Sequence, residues 1–202
     1  AKIATLYQEF LNERVPHGDV VEIGTWWGKS ALVLLLLARQ FGIGNVLCVD
    51  PWKDEELVQG VPDVDAASAA LSAEEAFEVF KMNLLPYIVP RTAIHLTTSD
   101  INYLRFTSAD ANKIYKVKGE CVISSDTFGR TEFVHKIALL HIDGNHAYEK
   151  VTQDVALWTP LVRRSTEIGD LLRAQRGIFA SRRLHGSFGR YALGQLDKMR
   201  RK

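Results

Sequence analysis

Apolar positions along the chain follow two periods. Val20-Val21-Glu22-Ile23, Val46 to Val49 and Ile137 to Ile142 are short runs rich in β-branched residues. That is the composition of strands covered on both faces of a parallel sheet. Ala31 to Ala38 (ALVLLLLA) instead continues a helix that opens near Lys29-Ser30 and is buried nearly all round. Ile3, Leu6, Tyr7, Phe10 and Leu11 recur at helical spacing over 2–14, and Pro16-His17-Gly18 ends that helix. Ser72-Ala73-Glu74-Glu75 is a helix start, and Phe77, Phe80, Met82 and Leu84 pack the helix that Pro86 ends. Thr92 to Thr97 (TAIHLT) reads as the third strand, leading to Ser99-Asp100. After Ile142, Tyr148-Glu149 begins a helix with Val151, Val155, Leu157, Trp158 and Leu161 as its buried stripe. Strands alternating with helices predict an α/β fold with a doubly wound, mostly parallel sheet and helices on both faces.

Two stretches resist this reading. Residues 53–73 are acidic, broken by Gly60 and Pro62, and longer than a plain strand–helix connection; they suit either a lid over the strand ends or a surface insert. Residues 101–134 mix short polar pieces with a candidate strand at 119–124 and a turn near Phe128-Gly129-Arg130.

The candidate chemistry centres on Glu22-Ile23-Gly24-Thr25-Trp26-Trp27-Gly28-Lys29-Ser30. A strand, a glycine-bearing turn and a helix start point backbone N–H groups at whatever binds above the strand. A dinucleotide fingerprint needs a second glycine for close pyrophosphate approach, and Trp26 stands there instead. A nucleotide-dependent oxidoreductase is therefore disfavoured. S-adenosylmethionine has no phosphate and needs the tight turn without the bare backbone, while Glu22 adds a carboxylate near a cationic ligand. Asp50 closes the second strand, 26 residues after Gly24, where a carboxylate can accept from both hydroxyls of a ribose; the competing role is a helix N-cap before Pro51. Trp52 is placed either to flank an adenine or to fill the core.

These stretches, with Val46-Leu47-Cys48-Val49-Asp50-Pro51-Trp52 and Leu139-Leu140-His141-Ile142-Asp143-Gly144-Asn145-His146-Ala147-Tyr148-Glu149, resemble the class I S-adenosylmethionine-dependent methyltransferases. The branch is that of small-molecule and sugar O-methyltransferases, and the resemblance covers roughly residues 15–162. It implies a Rossmann-like fold, S-adenosyl-L-methionine as methyl donor and a small-molecule hydroxyl, rather than nitrogen, as acceptor. By the same resemblance Glu22, Gly24, Thr25, Trp26, Gly28, Ser30, Asp50, Trp52, Ser99 and Asp100 hold the donor, Asp100 at the adenine amino group. Asp143 lies beside the methyl donor as base or metal ligand. His146, whose side chain titrates near neutrality when unperturbed, is a candidate base for the acceptor hydroxyl; its alternative is to fix the turn. Asn145 replaces a carboxylate that some metal-dependent members carry, so a divalent metal is left open.

After Val162 the pattern breaks. The family's Pro-Gly-Gly turn, fifth strand and acidic pair do not follow, so either a stretch is missing from the sequence at this point or 176–184 supplies the strand. The chain of 202 residues is expected to form one domain, with core motifs over 15–162 and a basic segment over 163–202. That segment carries 11 basic and 3 acidic side chains, against 14 and 21 in the rest. The imbalance raises a second function class, a non-catalytic nucleic-acid-binding module, but the segment shows no recognisable RNA or DNA motif. Two cysteines make no disulfide framework and suit a reducing, cytoplasmic compartment. The longest apolar run is too short to span a bilayer, so no membrane partner is expected. No signal peptide opens the chain, and its start at Ala1 leaves open a missing N-terminus. Self-association as a homo-oligomer is left open.

Overall fold

The computed structural model describes residues 17–57, 65, 72–88, 91–93, 96–117, 121–162 and 178–180. The main sheet contains β1 (Asp19–Ile23), β2 (Val46–Val49), β5 (Ile101–Leu104), β8 (Ile137–Ile142) and β9 (Ile178–Ala180). Its order is β5-β2-β1-β8-β9, and every pairing is parallel. A second sheet, β3-β4-β7-β6, is built from β3 (Arg91–Ala93), β4 (Leu96–Thr98), β6 (Cys121–Ser125) and β7 (Gly129–Phe133). The expected doubly wound, Rossmann-like parallel sheet is thus present.

Helices cover both faces because both faces of the strands are apolar. Val20, Val46, Cys48, Ile101 and Leu139 pack under α1 (Lys29–Phe41) and α2 (Ala73–Leu84). Val21, Leu47, Val49, Leu140 and Ile142 pack under α3 (Ser108–Tyr115) and α4 (Tyr148–Trp158). Alternate residues of one strand therefore feed opposite cores. Ser72 caps α2 by accepting from the Glu75 amide at 3.3 Å, as its signature predicts. Two apolar side chains face outward against expectation. Met82 on α2 is 69% exposed and Leu36 on α1 46%, because each points away from the sheet on a helix with one packed side.

The third parallel strand is not where its composition placed it. Thr92 to Thr97 contributes to β3 and β4, an antiparallel pair in the second sheet, and β5 lies at 101–104 instead. Asn102 explains the misreading. It interrupts an apolar run, yet it is fully buried, with Nδ2 donating to the carbonyls of Ile123 (3.0 Å) and Gly129 (2.9 Å). A polar residue in the edge strand thereby ties the main sheet to the β6–β7 hairpin. The segment 101–134 that resisted reading is this strand, helix α3 and that hairpin.

The fifth-strand position is filled. Ile178, Phe179 and Ala180 pair with Leu140, His141 and Ile142, and Val162 bridges Ile137 on the same strand. The alternative in which 176–184 supplies the strand is the arrangement found. The predicted helix at 2–14, the Val162–Arg163 junction and most of 58–71 lie outside the described residues.

Candidate active site

A cavity of about 660 Å³ opens over the carboxyl ends of β5, β2, β1 and β8, where ligands bind in open α/β sheets. The strand ends are locked together beneath it. The Gly24 amide donates to the Val49 carbonyl and the Asp143 amide to the Ile23 carbonyl, both at 2.8 Å. Gly24 has φ +83°, and a side chain there would overlap the backbone of Asp143 and Gly144. The glycine is required because the loop after β8 crosses directly over the turn after β1. Gly28, φ +75°, is required for another reason: a Cβ would lie 2.7 Å from Phe80. It admits the core of α2 and does not line the cavity.

Asp50 organises the turn from within. Its Oδ2 accepts from the Trp26 amide at 3.0 Å and its Oδ1 from the Trp52 amide at 2.8 Å. Both tryptophans are left-handed, with φ 49° and 42°, a conformation costly for a bulky residue. The Trp52 indole N–H donates to the Trp26 carbonyl at 2.9 Å, so both sides of Trp26 are held. Burial pushes the Asp50 carboxyl up to about 6, the two amides opposing the rise and Glu22 adding to it.

Among the predicted residues, the cavity gathers Gly24, Thr25, Trp26, Ser30, Asp50, Asp143 and His146. The others lie elsewhere. Trp52 is 1% exposed and packs on Phe77 and Phe80, with ring centroids 4.9 and 4.8 Å away, so it fills the core and does not line the cavity. Glu22 is fully buried below the turn, where Oε1 pairs with His141 Nδ1 at 2.9 Å and Oε2 has no hydrogen-bond partner among the described residues. Ser99 and Asp100 are corrected outright. They precede β5 and sit at the amino end of the sheet, away from the cavity. Asp100 accepts two bonds from Arg39, at 2.6 and 2.8 Å, and Ser99 bonds the Ile101 backbone. Moving the third strand nine residues along the chain reverses which end of it they occupy.

The cleft end of β5 leads instead to Thr107 and Ser108, which line the cavity with Lys150, Gln153 and Asp154 of α4. Asp154 is 7% exposed. Burial pushes its carboxyl up, opposed by a hydrogen bond from Ser108 and by the Lys150 charge. Ser108 Oγ in turn accepts from the Trp158 indole at 2.9 Å. Sequence signals for both were present: Thr107-Ser108-Ala109-Asp110 is a capping pattern after an apolar run, and Asp154 interrupts the stripe Val151, Val155, Trp158.

A family model described as "Methyltransferase domain" matches residues 21–168. The chain belongs to this methyltransferase family. Comparison with curated protein sequences yields no match. Among solved structures, the methyltransferase is similar to "Structure of the O-methyltransferase NovP", at 18% identity and a TM-score of 0.48, over 80% of this chain and 59% of that one. It therefore spans about three-fifths of that structure's length.

The family implies S-adenosylmethionine, and the cavity suits its chemistry. The first turn of α1 carries no acidic side chain and presents a helix N-terminus at Lys29 and Ser30, suited to a carboxylate. Asp50 and Asp143 supply acceptors on neighbouring strands. Among the described residues, no group of three or more His, Cys, Asp or Glu is arranged to hold a metal ion. Among the same residues no helix is long and apolar enough to cross a membrane.

Proposed function

We propose that this methyltransferase moves the methyl group of S-adenosylmethionine to a hydroxyl oxygen of a small molecule. The supporting observation is the convergence of Asp50, the Gly24 turn and the Asp143–His146 loop on one cavity, from three adjacent strand ends. S-adenosylmethionine supplies an activated methyl on sulfur, so the chain must align the acceptor and take its proton. Asp50 is placed for a ribose, and the amides opening α1 for the carboxylate of the amino-acid end. Asp143 and His146 then face the reacting oxygen, His146 as the base. Asn145 Oδ1 accepts from the Ala147 amide at 2.8 Å, which fixes the loop that carries His146. The two cysteines, both buried and unpaired, suit a reducing compartment such as the cytoplasm.

The roles separate by kinetics. Asp143→Asn and His146→Ala should each lower turnover, His146→Ala by about a hundredfold or more, the low end of a general-base contribution, with donor affinity held within a few-fold. Loss of donor binding in both variants would assign them to the donor instead. Calorimetry with S-adenosylmethionine and NAD tests the donor directly, and heat from NAD alone would defeat the proposal.

A further inference from the structure

One buried polar pair does not line the cavity yet stands directly beneath it. Glu22 and His141 face each other on the paired strands β1 and β8, and Glu22 Oε1 lies 2.9 Å from His141 Nδ1. A carboxylate oxygen accepts, so that ring nitrogen carries the proton. Glu22 is fully buried, and its Oε2 has no hydrogen-bond partner among the described residues. Its neighbour across on β2 is Cys48, also fully buried. A carboxyl this deep depends on the bond from His141.

The bond matters because little else fixes how β8 lies along β1. Their pairing starts irregularly: Asp19 pairs with Ile137 but Val20 with Leu139, so Ala138 is an extra residue on β8. Beyond it Leu139, Leu140 and Ile142 feed apolar cores on both faces of the sheet. A one-residue slip would exchange one apolar side chain for another, which a strand buried on both sides tolerates. It would also set Leu140 or Ile142 opposite Glu22 and strand the carboxyl. Gly24 and Asp143 each follow the pair by two residues, and the Asp143 amide donates to the Ile23 carbonyl. A slip would therefore carry the Asp143–His146 loop about 3.3 Å past the Gly24 turn. Misplacement by about 1 Å already costs about a hundredfold in rate. We infer that His141 is a positioning residue: its bond to Glu22 locks β8 to β1 in the register that sets the acceptor loop over the donor turn. The role in methyl transfer rests on the function proposed above; the lock itself does not.

Amide hydrogen exchange followed by NMR reads the lock directly. The double variant Glu22→Leu/His141→Leu replaces the polar pair with an apolar one, so no buried carboxyl is stranded and the melting temperature should hold. Its Asp143 amide should nevertheless exchange about tenfold or more faster than in wild-type protein. The Gly24 amide, which bonds β2 instead, should keep its wild-type rate, and S-adenosylhomocysteine its wild-type affinity by calorimetry. His141→Asn retains an N–H donor and should keep Asp143 protected. Wild-type exchange at Asp143 in the double variant would overturn the inference. Loss of S-adenosylhomocysteine binding there would overturn it too, by making the pair a support of the donor turn. Should the double variant fail to melt cooperatively, His141→Asn against His141→Leu decides, and equal exchange at Asp143 in the two counts against the lock. No binding of S-adenosylhomocysteine to wild-type protein would overturn the donor reading and leave the lock standing.

Discussion

Asp50 shows how much one side chain can carry. Each carboxylate oxygen holds the amide of a left-handed tryptophan, so the residue shapes the turn as well as offering acceptors to a ribose. Asp50→Ala should therefore weaken S-adenosylmethionine at least tenfold by calorimetry, since charge-assisted hydrogen bonds are worth about 1.5–3 kcal/mol each. Protonation gives a second test with two opposite signs. The folded protein holds the Asp50 proton up to about pH 6, against an ordinary value of 3.8. Its contribution to stability is fully present below 3.8 and is lost as pH rises toward 6, about 3 kcal/mol at most. Donor affinity should move the other way, rising through pH 6 as the carboxylate ionises. Asp50→Asn should flatten both dependences, read by thermal melts and calorimetry between pH 4.5 and 7.5. Gly24 is the complementary case, because its role is to carry nothing. Gly24→Val adds a β-branched side chain at φ +83° against the Asp143–Gly144 backbone. It should abolish donor binding and destabilise the fold by more than about 2 kcal/mol in chemical denaturation.

Elements are joined at the opposite end of the sheet by buried polar contacts. Tyr115, the last residue of α3, donates to Asp19 Oδ2 at 2.6 Å, and Asp19 also accepts from the Val134 amide. Burial pushes both acids up, the tyrosine further because the Asp19 charge faces it. The start of β1, helix α3 and the β7–β8 link meet in this cluster. Tyr115→Phe removes one hydrogen bond to a charged group and should cost about 1.5–3 kcal/mol of stability. Turnover should be unchanged, because the cluster lies at the amino ends of the strands and the cavity at their carboxyl ends. A large fall in turnover without a fall in melting temperature would contradict that division. Asn102 does similar work between the two sheets, exchanging an apolar strand residue for bonds to the β6–β7 hairpin.

At the scale of the whole molecule, the segment after Val162 completes the sheet. β9 and the Val162 bridge both pair along the outer edge of β8, the strand that carries Asp143. A chain ended after Val162 would leave that edge unpaired beside an apolar face. It should lose cooperative melting and aggregate, as light scattering would report; a soluble, cooperatively folding fragment would show β9 to be dispensable. The same segment carries the excess of basic side chains, so its charge accompanies a structural role.

Most of the scaffold was legible because burial on both faces leaves a strong local mark. β1, β2, β8 and α1 are near-continuous apolar runs, and the turn at Gly24, the acid at Asp50 and the loop at Asp143 follow from their ends. The errors lie where a residue's partner is far away in the chain. Asn102 hid β5 because its hydrogen bonds come from a hairpin some twenty or more residues later, and that displaced Ser99 and Asp100 to the wrong end of the sheet. Trp52 looked like a ligand contact until Phe77 and Phe80 closed around it. Asp154 and Ser108 meet only when α4 packs on α3. Local composition determined which segments are strands and helices and where the glycine turn lies. Tertiary packing alone decided which polar side chains face the cavity, because that depends on what covers each of them.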